Sequence, residues 1–414
     1  MVRAATIAAM ERISPPIARP GRRATGRSRA FARCWLVGCA LIATLSSPAR
    51  AEAQGDLAAS LTALGAAYRA YDAGDLATAK TELARLPATF GAQGAQPGRR
   101  ALAIRDYVLW LRGMVALRSG DPARAETAFR ELGKLAGSPF ARLVPWRLAD
   151  CAWDRGDRAA AARAYQKLVA GKDALEDGDL GTAKYRIAET RSGDPQRAQL
   201  RALAIEHPSH PLALRAEQKL AELGAPALTP AERIERARHL TDAHLWDDAV
   251  AELSSIADPL PADVARQRDY WLGITLFKMR RRYGDAARLL LGVSSHPGQL
   301  GDGAAEAMFH GARALSRADR DDEAITWYRK VVATYPGSPY AQEAQFLSGW
   351  LEFNRGRYRN AIAPLETSLA RYPRSKWVDD ALWFLGMAHY VLGEWDKARA
   401  RLEALARHRG ALEG

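Results

Sequence analysis

The sequence predicts an all-α solenoid of stacked helical hairpins, and three observations carry that prediction. Residues recur on a fixed step: Ala324, Ala361 and Ala398 are 37 apart, as are Tyr335-Pro336 and Tyr372-Pro373, and Gly356 and Gly393. A period of this size marks supersecondary units that cannot bury their apolar faces alone and must pack on their neighbours. Within each period the apolar residues fall three and four apart, which puts one stripe on each of two helices. No alternation of strand type runs for a useful length.

Residues 1–51 are a different kind of sequence. Nine arginines and one glutamate surround a single apolar run, Cys34 to Leu45, followed by Pro48 and Ala49-Arg50-Ala51. The run is too short to span a bilayer, and a basic leader, a short apolar core and small residues after it make a secretory signal peptide. Met10 is an equally good start, and Arg22-Arg23 is not continued as a twin-arginine motif. Leu36-Val37-Gly38-Cys39 has the order of a lipoprotein cleavage site, but such a site needs its apolar run before the cysteine, and here most of it follows. The expectation is a mature chain from about Glu52, exported to the periplasm and without a transmembrane segment, rather than an outer-membrane lipoprotein.

The formal charge is +13, and eight of those charges belong to residues 1–51. The remainder is weakly basic, with acids and bases mixed on helix faces, as in Arg281-Arg282 near Asp285. That is a solvated surface rather than a nucleic-acid stripe, so no nucleic-acid partner is expected. Cys34 and Cys39 leave with the leader, and Cys151 alone cannot form an internal disulfide. In Leu148-Ala149-Asp150-Cys151-Ala152-Trp153 it is expected to be a buried small residue.

Residues 52–223 read as degenerate repeats. Ala73-Gly74-Asp75, Ser119-Gly120-Asp121, Arg155-Gly156-Asp157 and Ser192-Gly193-Asp194 recur, with Ala79, Ala125, Ala161 and Ala198 four residues after each aspartate. The glycine serves the turn between two helices, and the aspartate caps the second. The longer first step leaves room for Gly91 to Arg100, an expected exposed loop. Gly224 to Pro230 is the expected linker between halves. After it, Thr229, Pro230 and Glu232 stand at the cap, first and third positions of a new helix.

Residues 231–414 are the regular part. Ala249, Ala286, Ala324, Ala361 and Ala398 keep register. In one unit Ala344, Leu347, Leu351 and Phe353 ride a helix that stops near Gly356; Tyr358, Ala361, Leu365 and Leu369 ride a second that ends before Tyr372-Pro373. Gly349 with Ala361, and Gly386 with Ala398, mark close approach of paired helices. Gly386, Gly393, Trp395, Ala398 and Leu402 resemble the tetratricopeptide repeat, specifically over 264–408 and more weakly before. The resemblance implies a right-handed superhelix.

The chemistry is mostly absent motifs: no phosphate loop, no Gly-x-Ser-x-Gly, no His-Glu-x-x-His. His207 and His210 flank Pro208 and are read as loop residues, and Asp247-Asp248 and Asp321-Asp322 as helix-start acids that suit the dipole. No enzyme activity, metal or cofactor is expected. What the repeat resemblance implies is a concave groove lined by first-helix residues: Tyr270, Phe277, Met308, Phe346, Trp350, Phe353, Asn354, Trp383 and Tyr390. Aromatic faces there suit a sugar or an apolar peptide side chain, and several of them also suit interhelix core.

The order of segments, with Leu228 to Arg233 and then Trp246 to Leu253, is similar to the superhelical region of soluble lytic murein transglycosylases. Their catalytic Glu-Ser and Gly-Leu-Met-Gln are not found, so no catalytic residue carries over. The resemblance implies a non-catalytic envelope scaffold that binds a peptidoglycan fragment or a partner protein. The alternative is a periplasmic adaptor like those of outer-membrane assembly or the Tol-Pal system, whose loop style Tyr335-Pro336-Gly337-Ser338 and Tyr372-Pro373-Arg374-Ser375 resemble.

Overall fold

Each period folds as two helices because one apolar stripe per helix is interrupted by a turn that a helix cannot pass through. The computed structural model describes residues 48–87, 104–171, 177–295 and 303–413. Among these there are nineteen α-helices, one short 3₁₀ turn and no strand. Four hairpins come first: α1 (Pro48–Asp72) with α2 (Leu76–Ala84), α3 (Arg105–Arg118) with α4 (Pro122–Leu132), α5 (Val144–Asp154) with α6 (Arg158–Val169), and α7 (Asp177–Glu189) with α8 (Gly193–Glu206). A lone helix, α9 (Pro211–Glu222), follows.

Five more hairpins follow: α10 (Pro230–Asp242) with α11 (Trp246–Ser254), α12 (Ala262–Lys278) with α13 (Tyr283–Ser294), α14 (Gly303–Arg317) with α15 (Asp321–Thr334), α16 (Pro339–Asn354) with α17 (Tyr358–Arg371), and α18 (Val378–Val391) with α19 (Trp395–Glu413). Consecutive helices pack on one another except α9 and α10, and the first helices α12, α14, α16 and α18 also touch in series. The apolar run Cys34 to Leu45 and the loop Gly91 to Arg100 lie outside the described residues. α1 begins at Pro48, ahead of the expected mature start at Glu52.

The Gly-Asp turns act as expected in three places of four. Asp75, Asp121 and Asp157 each accept a hydrogen bond from the backbone N–H three residues on, at 3.0, 3.1 and 3.1 Å. The fourth departs: α8 starts two residues earlier relative to its aspartate, at Gly193, with Ser192 as a cap residue that makes no side-chain bond, so Asp194 lies inside the first turn.

The 224–230 segment turns the chain without separating the halves. Thr229 and Glu232 form a reciprocal capping box. Arg201 of α8 donates two hydrogen bonds of 2.6 Å to the Glu232 carboxylate and others to the Pro226 and Ala227 carbonyls at 2.8 and 3.0 Å. Those Arg201 bonds hold the Glu232 carboxyl down at about 2. α10 packs directly on α8, which leaves α9 as an extra helix that the 37-residue step does not call for.

The core follows the register. Ala249, Ala286, Ala324 and Ala361 have no exposed surface, and Ala398 is also buried. The largest apolar cluster runs from Leu276 to Leu385 through Phe309, Tyr328, Phe346 and Leu365. A Cβ on Gly349 would lie 2.8 Å from Leu365 Cγ, and one on Gly386 2.9 Å from Leu402 Cδ2; both distances are too short, so the small residue is what lets the paired helices close up. Cys151 is fully buried, and burial pushes its thiol up to about 12, with Asp150 and Asp154 adding to the effect. Asp150 beside it is itself inside, where Tyr165 and Arg186 donate to it at 2.5 Å and Arg147 pairs at 3.0 Å.

The acids read as helix starts are placed so. Asp247 and Asp248 sit in the first turn of α11, and Asp321 and Asp322 in that of α15. Asp322 is also paired with Arg357 at 2.6 Å, and Arg355 reaches both Asp321 and Asp322 at 3.3 and 3.2 Å. His210 is bound into the fold as well: its Nδ1 accepts from Leu212 N at 3.1 Å and caps α9. His207 Nε2 lies 2.9 Å from Lys184 Nζ.

Candidate functional site

The nine residues expected along one groove do not form one surface. Phe346 is 1% exposed and stacked on Trp377 at 4.9 Å. Trp350 and Met308 are also buried. Tyr270 is buried with its ring edge-on to Trp271, and Phe277 and Phe353 are half-buried, against His310 at 4.9 Å and Phe384 at 5.1 Å. Asn354 is exposed, and Trp383 and Tyr390 are about half exposed, at 48% and 51%.

The expectation of a continuous aromatic surface through Phe346, Trp350, Phe353, Trp383 and Tyr390 is therefore corrected. The first helix of each unit packs against the first helix of the next, so positions three before and one after the small glycine become core between units. In the last described hairpin the counterpart three before Gly386, Trp383, is about half exposed, and the one after it, Met387, is partly buried.

The structure brings a different set of polar groups together between α12, α14 and α16. Tyr270 donates to Glu306 Oε2 at 2.9 Å across two units. Tyr340, at the start of α16, also bonds Glu306. Burial, and then Glu306, raise the Tyr270 hydroxyl and push that of Tyr340 up to about 12. Both phenols therefore stay protonated as donors, and the carboxylate they flank accepts. One turn further along α14, the His310 ring is enclosed by Phe277, Phe309 and Tyr340 at 4.9, 5.4 and 5.8 Å. Burial first, then Arg313 and Lys278, pushes its imidazole down to about 3. Its Nε2 lies 3.7 Å from Glu306.

Glu306 opens onto a cleft of about 610 Å³ lined also by Ala305, Tyr335, Ser338 and Tyr340. The Tyr335 hydroxyl and Ser338 Oγ are buried without a hydrogen-bond partner among the described residues. The cleft thus offers a half-exposed carboxylate already fixed by two phenols, two unused hydroxyls and tyrosine ring faces. That chemistry is suited to a cation or a group with several hydrogen-bonding atoms. Among the described residues no group of three metal-ligating side chains occurs, and no helix is long and apolar enough to cross a membrane.

Tyr270 was expected along the groove, and Tyr335 and Ser338 belong to the repeated Tyr-Pro loop, but Glu306, His310 and Tyr340 were not singled out by the repeat pattern. Glu306, His310 and Tyr340 occupy positions whose residue type differs from unit to unit, so the period carries no signal for them. Their meeting depends on how consecutive first helices stack.

The family model for the tetratricopeptide repeat matches residues 111–178, 270–339 and 346–411. The chain carries tetratricopeptide repeats. An array of such repeats is a scaffold suited to protein–protein interaction. The Glu306 cleft lies within the second matched segment except for Tyr340, which follows its last residue. Among solved structures, the chain is similar to a tetratricopeptide repeat protein from Parabacteroides merdae, at 13% identity over 73% of this chain and 93% of that one, with a TM-score of 0.28. It is also similar to a Rap protein complexed with competence and sporulation factor, at 12% identity over 86% of this chain and 99% of that one, with a TM-score of 0.29. No curated protein matches the sequence.

Proposed function

We propose that this chain is an exported, non-catalytic scaffold of the cell envelope whose tetratricopeptide array holds an extended segment of a partner protein. The observation that carries the reading is Glu306 held between the Tyr270 and Tyr340 hydroxyls beside the unused hydroxyls of Tyr335 and Ser338. A lysine or arginine of the partner meets the carboxylate, and main-chain groups of the segment meet the hydroxyls. Export rests on residues 1–51, whose basic leader and short apolar run have the form of a signal peptide.

The test is selection from a random peptide library displayed on phage, followed by calorimetry of the selected peptides with the Glu306→Gln and Tyr340→Phe variants. Enrichment of peptides bearing a basic residue, with binding weakened about tenfold or more by Glu306→Gln, is the expected result; the loss of one charge-assisted hydrogen bond is of this size. Selected peptides that bind both variants as tightly as the parent chain would remove the cleft from the proposal. A fusion of residues 1–51 to alkaline phosphatase, which is active only after export, tests the location.

A second reading keeps peptidoglycan as the ligand. It rests on the Leu228 to Leu253 resemblance, whose restart folds as the Thr229–Glu232 capping box. Binding of solubilised muropeptides in place of peptides favours it.

A further inference from the structure

Half of the exposed large apolar side chains among the described residues fall on the last hairpin: Trp383, Tyr390, Val391 and Trp395, the last 58% exposed. In the preceding unit the counterparts of the first two are Phe346 and Phe353, 37 residues earlier, and both are covered by the next unit, by Trp377 at 4.9 Å and Phe384 at 5.1 Å. Tyr390 and Trp395 meet edge to face at 5.0 Å and form one end of an open groove of about 380 Å³ that continues along α19 over Leu402 and Ala406. Arg399 and Glu403 line the same groove.

The occupant is indicated by how α19 differs from the second helices before it. Arg399 stands where Ile362 and Ile325 stand, and both isoleucines pack into the core between units. A further unit of the same kind laid over α19 would strand a guanidinium against an apolar helix, at a large desolvation cost. Arg399 makes no ion pair among the described residues, whereas Glu403, one turn on, has only a loose contact with Arg407 at 4.0 Å. What fits the strip is an apolar helix that brings a carboxylate to Arg399 and a cation to Glu403.

α19 itself meets that description when reversed. Two copies laid antiparallel about a two-fold axis through residue 401 set Arg399 of each against Glu403 of the other. The same axis sets Trp395 of each beside Ala406 of the other, and Ala406 is small where Leu369 and Val332 stand in earlier units. Such a surface is self-complementary, as a two-fold interface must be. We infer that two copies of this chain pair head to head through α19 of the last hairpin, burying Tyr390 and Trp395 and joining Arg399 to Glu403 twice.

The experiment is sedimentation equilibrium of the full chain at roughly 100 µM, above the micromolar dissociation constants of small transient interfaces. The parent chain is expected to sediment as a dimer. Arg399→Glu and Glu403→Arg are each expected to sediment as monomers, because like charges then face each other twice. An equal mixture of those two variants is expected to recover the dimer, since each supplies the charge the other needs, and so is the double variant. Both side-chain changes are at exposed positions, and circular dichroism checks that helicity is unchanged. A monomeric parent chain, a dimer that survives both single changes, or single variants that stay monomeric when mixed would each overturn the inference.

Discussion

Trp377 lies flat on Phe346, with ring centroids 4.9 Å apart and planes 10° apart. The contact joins the loop before α18 to the middle of α16, and it is one reason why aromatic residues at groove positions behave as core. Trp350, on the same helix, is 6% exposed. Trp350→Ala should therefore cost about 3–5 kcal/mol, as for other buried aromatics, whereas Trp383→Ala should cost well under half of that. Urea midpoints of the two variants check this, and equal losses would mean that the burial of α16 and the exposure of α18 are not as described.

Close approach within a unit makes an opposite pair of predictions for two glycines. At Gly349 a Cβ would meet Leu365 Cγ at 2.8 Å, while at Gly292, in α13, nothing lies within 4 Å. Gly349→Ala should overpack its unit and cost about 1–3 kcal/mol. Gly292→Ala should gain up to about 1 kcal/mol from helix propensity. Thermal midpoints should move in opposite directions.

The fold was legible because a repeat states its own register. Once Ala324, Ala361 and Ala398 are aligned, the helices, their turns and the close contact of Gly349 with its partner helix follow from period and residue size. α9 was not legible, since no second copy of it exists in the chain to set a step. The groove was legible only as positions: whether Phe346 faces a ligand or Trp377 depends on the spacing between units, which the sequence of one unit does not contain. The Glu306 cleft was hidden for the same reason, being made by three first helices at once.

Asp319 is one of the turn positions without a glycine; His244 is another, with φ of 63°. Asp319 stands where Gly356 and Gly393 stand, and it takes the same left-handed backbone, with φ of 60° against 72° and 76°. An L side chain there costs about 1 kcal/mol more than glycine. Asp319→Gly should raise stability by about that amount, read as a higher urea midpoint with an unchanged slope.

The caps separate two aspartates that look alike in sequence. Asp157 accepts from Ala160 N at 3.1 Å and caps α6, while Asp194 sits inside α8 with Ser192 at the cap position. Asp157→Ala should cost about 1 kcal/mol. Asp194→Ala should cost less, losing the favourable placement of an acid in a first turn and an exposed ion pair with Arg197 that is worth little. Equal costs would show that Asp194 caps α8 after all.

His310 supplies a pH dependence with a definite sign. Its imidazole lies among Phe277 of α12, Phe309 of its own helix and Tyr340 of α16. The charged groups that face it are Glu306 at 3.7 Å, Arg313 and Lys278. Burial and the two cations win over the carboxylate, and the folded ring titrates at about 3 against 6.5 for a free one. Between those values the unfolded chain binds a proton that the folded chain refuses, so this contribution is complete above 6.5 and is lost as pH falls toward 3. Each pH unit inside the window is worth about 1.4 kcal/mol. From pH 7.5 to pH 5 the parent chain should therefore lose about 2 kcal/mol through this residue alone. A His310→Gln variant removes that term while leaving the carboxylates that titrate in the same range. The stability difference between parent and variant should shift by about 2 kcal/mol toward the variant at pH 5. A difference that stays constant from pH 7.5 to pH 5 would mean that the ring is protonated in the folded chain.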